Sequence, residues 1–427
     1  MQLISSRNNI LGKILVFILL FSFIYEIHFA YLPLNFPVIF GVIAFLVYVL
    51  SKKVRTKCKS NGWQPAKLLA IFLPVLIFSF ISIVLNQSWD FYFVKWYIFF
   101  VLKVFACMLI MLLTKKYFGD LHYITLIKLF FLCAIIQVGL SIIIWVLPDI
   151  KELLYMTLTL GDIGEEALDR TSGLRLNGYG TNFFGAGTIH GFILFSTALL
   201  LQSRLKFLKS TTVIILYIVV FIVSMMMART TIIGFALAML LLVLINKPKF
   251  NVLKLITYTV LSCIISIAIL GSLSPQFLEK FDYVITFGFE MFINYFNGDG
   301  LTTSSISNSM VDMYKFPDNI FTWVVGDGYW ENPITGYYYK GTDIGYCRML
   351  FYFGAFGLLV FYLCYFKLFR TIRARNTGIP RIYLQLLFIY FATLHLKGFT
   401  DLLPLILPLY FCDTLNKPIA SHEYNSL

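Results

Sequence analysis

Long apolar segments recur along almost the whole chain, and they constrain its fold more than any other feature. A helix needs roughly 20 mostly apolar residues to cross the ~30 Å hydrocarbon core of a bilayer. About twelve segments meet or approach that length; they lie near residues 12–30, 32–50, 68–86, 96–114, 122–148, 183–202, 211–228, 231–246, 255–273, 346–366, 382–397 and 402–413. Charged residues make up only 13% of the chain, about half the share in a soluble domain. The sequence therefore predicts an all-α, polytopic integral membrane protein, and it argues against a soluble enzyme, a disordered protein and a nucleic-acid-binding protein.

The distribution of positive charge predicts the orientation of these helices. If the N-terminus is cytoplasmic, most Lys and Arg residues fall in inner segments, such as the clusters at 52–59 and 367–381. Most acidic residues then fall on the outer side, including the run at 162–169. Because Lys and Arg concentrate in cytoplasmic loops, we expect both termini to be cytoplasmic. The first apolar segment lacks a small-residue cleavage site, so we expect a retained helix and not a signal peptide.

Two outer segments are longer than the other connections. A medium loop covers 149–182 and a large loop covers 274–345. The large loop begins with Ser274 at an N-cap position and Pro275 at the first helical position. Phenylalanines then recur at helical spacing, which predicts an amphipathic helix in the membrane interface. The whole chain, 1–427, is expected to form one membrane domain.

The difference between the two halves of the chain bears on the class of protein. Transporters are commonly built from related halves with broken helices at mid-membrane, whereas only the C-terminal half here has a large outer loop. Glu26, Lys103 and Lys128 lie near the ends of spans, where long side chains can snorkel. A Glu26–Lys103 pair is the functional alternative. Functional residues concentrate on loops held by a rigid scaffold, so we expect chemistry on the outer side.

Five outer cations lie beside segments that enter the membrane: Arg170, Arg175, Arg229, Arg348 and Lys397. Arg229 lies in MMARTTIIG, where one predicted helix ends and the next begins with no room for a loop between them. It either snorkels at this tight turn or binds a phosphate through its forked N–H donors. Lys397 allows the same two interpretations. Arg170 and Arg175 lie in DRTSGLRLNGYGTN, where they either neutralise the preceding acidic run or join the same site. The glycines of this segment let the backbone approach a ligand.

Asp343 and Arg348 flank the start of the helix that follows the large loop. Asp343 can cap that helix, orient an arginine, or accept a proton from a sugar hydroxyl. Five outer aromatic residues either stack on sugars or anchor the loop on lipid: Tyr329, Trp330, Tyr337, Tyr338 and Tyr339.

Motifs for metals and cofactors are absent from the sequence. The cysteines lack zinc-site spacing, and no acidic pair has the spacing of a metal-dependent glycosyltransferase. GAGTIHG does not fit the dinucleotide-binding pattern, and its Gly187 and Gly191 indicate helix packing instead. We therefore expect no metal and no cofactor.

The order of these features resembles the O-antigen polymerase family and its relatives, the O-antigen ligases. The shared features are RTSGLRLNGYGTN before a helix, ARTTIIG between two tightly connected helices, and a large outer loop that ends in TDIGYCRMLFYFGAFG. The order of helices and loops resembles that of the family over nearly the whole chain, but the sequence motifs themselves match only in these segments.

The resemblance implies a GT-C-type glycosyltransferase in the bacterial inner membrane, inverting and metal-independent. It would join undecaprenyl-pyrophosphate-linked oligosaccharide repeats on the periplasmic face, in contact with membrane lipid and a chain-length-regulating copolymerase. Arg170, Arg175 and Arg229, together with Arg348, would stabilise the pyrophosphate leaving group. Asp343 would orient or deprotonate the acceptor.

Two other functions stay open. Ligases of this superfamily place a His just ahead of the helix after the large loop, where this sequence has Thr342 and Asp343. The absence of any His between His190 and His395 favours a polymerase over a ligase. A flippase for lipid-linked oligosaccharides is the alternative from another class, but it predicts an internal symmetry that the sequence does not show.

Overall fold

The computed structural model describes most of the chain, and the described part is helical. The described residues are 10–119, 121–159, 175–181, 183–202, 210–245, 275–298, 300 and 312–413. Within them the regular elements are α-helices and one short 3-10 turn, accompanied by two isolated β-bridges.

Fifteen α-helices follow one another along these residues. They are α1 (Ile10–Ile24), α2 (Phe36–Leu50), α3 (Lys52–Ser60), α4 (Pro65–Asn86), α5 (Tyr92–Phe118), α6 (Tyr123–Val146), α7 (Pro148–Tyr155), α8 (Phe183–Gln202), α9 (Ser210–Met227), α10 (Thr231–Leu244), α11 (Pro275–Asn297), α12 (Ile320–Val325), α13 (Gly345–Arg375), α14 (Arg381–Leu394) and α15 (Leu403–Tyr410).

Several of these helices are suited to a bilayer. In the described part of the chain, α4, α5, α6, α8 and α13 are long and apolar enough to cross a membrane. α2 and α3 pass the same test of length and composition only when taken together, and they meet at a bend of 94°. Shorter apolar helices, α1, α9, α10 and α14, occupy other predicted segments. The predicted segment near 255–273 lies outside the described residues. The described residues are thus helical and consistent with an all-α membrane protein, while twelve crossings stay a prediction.

The last predicted segment differs from a spanning helix. α15 has eight residues and therefore spans only about 12 Å. All of its residues are buried, and it packs against α1, α5, α6 and α13. Its apolar composition therefore reflects a place in the protein interior.

The core is one hydrophobic cluster, and α5 and α8 each pack against several helices within it. α5 packs against α1, α2, α4 and α15 through buried side chains that include Phe100, Val104 and Met108. α8 packs against α6, α9 and α10. A Cβ at Gly187 would collide with Thr230, and one at Gly191 would collide with Tyr390 of α14. These glycines let neighbouring elements approach α8 closely.

α5 also connects two opposite ends of the molecule. Just before it, the carboxylate of Asp90 accepts a hydrogen bond from Trp330 N at 2.7 Å, so this end lies beside the large loop. In its last turn, Lys115 Nζ donates to Asn61 Oδ1 at 3.1 Å, next to α3. We call these the loop end and the α3 end; the 27 residues of α5 separate them by roughly 40 Å.

A partly buried ion cluster around Lys103 links three segments of the chain. Lys103 of α5 forms ion pairs with Glu26 and, at 2.9 Å, with Asp401. Asp401 also accepts a hydrogen bond from Leu403 N at 2.9 Å, at the start of α15. The sequence predicted either snorkelling or a Glu26–Lys103 pair for these two residues, and it did not predict the part played by Asp401. The cluster ties α1, α5 and α15 together.

Candidate anion-binding site

Arg229 lies in a tight turn between α9 and α10. Ala228 N donates to Ser224 O at 2.9 Å, and Ile232 N donates to Arg229 O at 3.1 Å, so the turn continues directly from one helix into the next. Gly187 of α8 packs against Thr230. The backbone of this turn is therefore fixed against the core, and the arginine projects from a rigid base.

Arg175 is brought to the same place by the segment before α8. Leu176 N donates to Met226 O at 3.1 Å, which joins the segment to the end of α9. Ser141 and Gln137 of α6 donate to the backbone of residues 177 and 179 at 2.9 and 3.0 Å. The chain around Arg175 is thus held between α6 and α9. Arg170 lies outside the described residues.

The two arginines and Lys397 line one cavity of about 130 Å³, a volume comparable to about four water molecules. Lys397 lies in the turn after α14, where its N–H donates to Leu394 O at 3.0 Å. Three cations therefore come from three separate segments of the chain. Nε of Arg175 is buried and has no hydrogen-bond acceptor among the described residues.

Burial and mutual repulsion perturb the cations of this cavity. Burial, followed by the charge of Arg229, lowers the pKa of Arg175 to about 10. Burial and the two arginine charges also lower the pKa of Lys397. The arginine remains a cation at neutral pH, so like charges are held close together. An anion in the cavity would relieve this repulsion.

α11 covers this cavity and contributes two further side chains. The Phe287 ring centroid lies 4.5 Å from the guanidinium carbon of Arg175 and 4.2 Å from that of Arg229. Glu290 Oε2 lies 2.6 Å from Arg229 Nη1. A Cβ at Gly288 would lie 3.2 Å from Met226 Cα, so α11 rests closely on the end of α9.

The sequence predicted this helix, but neither of those two contacts. Ser274, its predicted N-cap, lies outside the described residues. Phe287 and Glu290 are three positions apart and therefore lie on one helix face. Glu290 is an acid on the apolar side of an amphipathic helix. This was the sequence feature from which contact of this face with protein cations, as well as with lipid, could have been predicted.

Asp343 lies beside the cavity at the start of α13. A Cβ at Gly345 would lie 2.9 Å from the Gly398 carbonyl carbon, so the start of α13 packs against the turn that carries Lys397. Burial raises the pKa of Asp343, and the charges of Lys397 and Arg348 oppose that shift. Ile344 is the N-cap residue of α13, without a side-chain capping bond. The capping role considered for Asp343 is therefore not observed.

Arg348 is not among the residues that line the cavity. Its guanidinium carbon lies 3.8 Å from the Trp330 ring centroid and 4.5 Å from that of Tyr338. Its Nη2 donates to Trp330 O at 3.2 Å. The structure thus places Arg348 near Asp343 but in an aromatic environment of its own, separate from Arg175 and Arg229.

Four of the five outer aromatic residues that were candidates for sugar contact, Tyr329, Trp330, Tyr337 and Tyr338, lie in different environments. Trp330 is only 2% exposed, and its ring stacks on Tyr92 at 4.4 Å. A sugar could reach that ring only if its neighbours moved. Tyr337 and Tyr338 are exposed, whereas Tyr329 is partly buried and stacks on a neighbouring tyrosine.

A further pocket of about 330 Å³ lies on the same side of the molecule, in the large loop. It is lined by polar side chains that include Lys315, Asn319 and Asp327, together with Phe316. Thr342, next to Asp343, donates to Met313 O at 2.5 Å, which connects this pocket to the start of α13. Among the described residues, no group of three His, Cys, Asp or Glu side chains could hold a metal ion.

Comparison of the chain with family models, curated proteins and solved structures finds no match in any of the three. The likeness to the O-antigen polymerase family therefore rests on the order of sequence motifs. Any functional argument rests on the residues of this cavity and their surroundings.

Proposed function

We propose that the cavity lined by Arg175, Arg229 and Lys397 binds the diphosphate group of a lipid-linked saccharide. The observation that carries this proposal is the convergence of three cations from separate segments on one small cavity. Guanidinium groups bind phosphate oxygens in a bidentate way. A charge near hydrocarbon is costly, so three together are expected where an anion balances them.

On this basis the protein is a polymerase of undecaprenyl-pyrophosphate-linked oligosaccharide repeats, as for O-antigen or a related surface polysaccharide. The bond between the anomeric carbon of the growing chain and its pyrophosphate oxygen breaks. A hydroxyl of the next repeat forms the new bond on the opposite face, which inverts the configuration. Preset cations stabilise the charge that accumulates on the leaving pyrophosphate.

Asp343 is the candidate for orienting the acceptor hydroxyl or taking its proton. It lies beside the turn that carries Lys397, and burial raises its pKa. A carboxylate with a raised pKa is a better proton acceptor than an ordinary one. The proton lost by the hydroxyl passes to this carboxylate as the glycosidic bond forms.

The proposal extends to the placement of the protein. It assigns a GT-C-type arrangement of about twelve crossings in the bacterial inner membrane, with both termini cytoplasmic. The cavity, at the loop end, faces the periplasm, and the basic α3 end faces the cytoplasm. This assignment agrees with the preference of Lys and Arg for the cytoplasmic side. A chain-length-regulating copolymerase is the proposed protein partner.

His190 and His395 bear on the choice between polymerase and ligase. His395 is buried, with Nδ1 2.6 Å from the Tyr362 hydroxyl and Nε2 3.2 Å from Thr400 O. His190 is also buried, with Nδ1 2.6 Å from Ser224 Oγ. Both imidazoles are engaged in hydrogen bonds inside the core, which favours a polymerase over a ligase that uses a histidine as its base.

Deletion and complementation of the gene test the proposed function. The deletion strain should carry surface glycan of at most one repeat, and the wild-type gene should restore the ladder of longer chains. Long ladders that persist in the deletion strain would rule out the polymerase. A lipid A-core bare of any repeat would indicate a ligase, and repeats retained on the cytoplasmic leaflet would indicate a flippase.

A further inference from the structure

The short helix α3 has an unusual concentration of positive charge. Its sequence, KKVRTKCKS, has five basic residues and no acidic one. The surrounding chain offers no compensation, since no acid occurs between Glu26 and Asp90. α3 follows α2 after a single residue, at an angle of 94°. A highly charged helix thus turns sharply away from the end of an apolar one.

Specific contacts fix this bend. The side chain of Ser51 accepts a hydrogen bond from Val54 N at 3.4 Å and caps the new helix. Arg55 donates to Tyr48 O at 3.1 Å, a carbonyl in the last turn of α2. Cys58 is buried, with Sγ 3.4 Å from Met108 Sδ of α5. One face of α3 is therefore anchored to the core.

The four lysines of α3 remain available. Lys52, Lys53, Lys57 and Lys59 are exposed, and in the described part of the chain none of their ammonium groups has an ion pair or hydrogen bond. The neighbouring Lys115 differs, because it pairs with Asp413 at 2.6 Å. Lys115, which forms an ion pair within the protein, is thus distinct from the four lysines of α3, which form none among the described residues.

The orientation of α3 determines which anions these lysines can meet. α2 exposes apolar side chains near its end, including Leu46, Val49 and Leu50, which suit contact with lipid tails. A helix at nearly a right angle to α2 at that point lies along the bilayer surface, at the depth of the headgroups. Lysine ammonium groups there are within reach of lipid phosphates, and polybasic segments of this kind attract anionic lipids.

We propose that α3 is a binding surface for anionic phospholipid headgroups, through Lys52, Lys53, Lys57 and Lys59. It lies at the α3 end of the molecule, opposite the candidate anion-binding site, and does not depend on the proposed polymerase activity. An acidic soluble protein is the competing occupant, but the angle of α3 favours the bilayer. Arg55 is excluded from the surface because it stabilises the bend.

Native mass spectrometry of the full-length protein in detergent can test this surface. Phosphatidylglycerol and phosphatidylcholine are added in competition, and their relative binding constants are measured. Each lysine near a headgroup contributes about 1 kcal/mol, which corresponds to about fivefold in affinity. We expect the wild-type protein to prefer phosphatidylglycerol. In the quadruple variant K52Q/K53Q/K57Q/K59Q, the ratio of the phosphatidylglycerol to the phosphatidylcholine binding constant should fall at least tenfold.

Two controls separate the surface from net charge and from misfolding. K95Q/K151Q/K315Q/K340Q removes the same number of charges elsewhere and should keep the preference. Replacing the four α3 lysines with arginine keeps the charge and should also keep it. The proposal is overturned if the wild-type protein does not prefer phosphatidylglycerol, or if the two glutamine variants behave alike. It is also overturned if the preference survives in the α3 glutamine variant.

Discussion

The carboxylate of Glu290 forms an ion pair with the guanidinium of Arg229, the group that we propose binds a phosphate. Glu290 Oε2 lies 2.6 Å from Arg229 Nη1, with the two side chains 18% and 13% exposed. A diphosphate in the cavity needs the same donors, so it must compete with this internal anion. We therefore expect Glu290→Gln to strengthen the binding of pyrophosphate, because the amide keeps the shape of the side chain and removes its charge.

The burial of the pair sets the size of this effect. Exposed ion pairs contribute roughly 0–1 kcal/mol, whereas breaking a fully buried pair costs about 3–5 kcal/mol. The Arg229–Glu290 pair lies between these limits, and the glutamine oxygen still accepts a hydrogen bond. We expect a gain of about 1–2 kcal/mol, which corresponds to a Kd roughly five- to thirtyfold lower.

Isothermal titration of inorganic pyrophosphate into the full-length protein in lipid nanodiscs measures this change. The ionic strength is held constant, since exposed charges are screened by salt. Asp282→Asn is the matched control because Asp282 also lies on α11 but is exposed and stands about two helical turns before Glu290. A Kd for Glu290→Gln that is unchanged, or no lower than that of the control, would refute the competition between Glu290 and phosphate.

Four other perturbations test the site and its support. Arg229→Lys keeps the charge and loses the forked donors, so polymer formation should fall at least tenfold at unchanged expression; a fully active variant would indicate a snorkelling role. Gly187→Ala should lower the Tm because its Cβ collides with the turn that carries the arginine, whereas Gly139→Ala, where nothing lies within 4 Å, should not. Lys103→Met leaves the carboxylates of Glu26 and Asp401 without their cation; because these side chains are 31% and 15% exposed, the loss of stability should lie between the limits for exposed and buried pairs, at about 1–3 kcal/mol, measured by denaturant unfolding. Because burial raises the pKa of Asp343, polymerase activity should rise with pH as this group loses its proton; the acidic limb of the pH–rate profile should then be absent in Asp343→Asn.

The helix positions could be predicted because hydrophobicity is a local property of the chain. The apolar segment at 96–114 lies within α5, and the segment at 183–202 coincides with α8. Length alone could not reveal that α15 is an interior helix, since a buried helix and a lipid-facing one share the same composition. That distinction depends on which helices surround it, and so on the whole fold.

The residues of the site could be predicted only where a residue's position in the structure is determined by the residues next to it in sequence. Arg175 and Arg229 each adjoin a segment that enters the membrane, and the structure places them in one cavity. Arg348 has the same local setting, yet it stacks on Trp330, because the fold of the large loop brings an aromatic ring to it. Glu290 was missed because its partner lies 61 residues earlier in the chain.

If the proposed function holds, the helix α11 would connect the cavity to the bilayer from which a lipid-linked ligand arrives. Its predicted place in the membrane interface is the depth at which a lipid diphosphate lies, because that group joins an apolar tail to a polar saccharide. Phe287 and Glu290 hold both arginines at that helix face, while Gly288 keeps the helix close to α9. A diphosphate that takes the guanidinium of Arg229 would displace Glu290 and so remove one of the contacts that hold α11 at the cavity. Ligand binding and the position of this helix would then be coupled, since the same residues serve both.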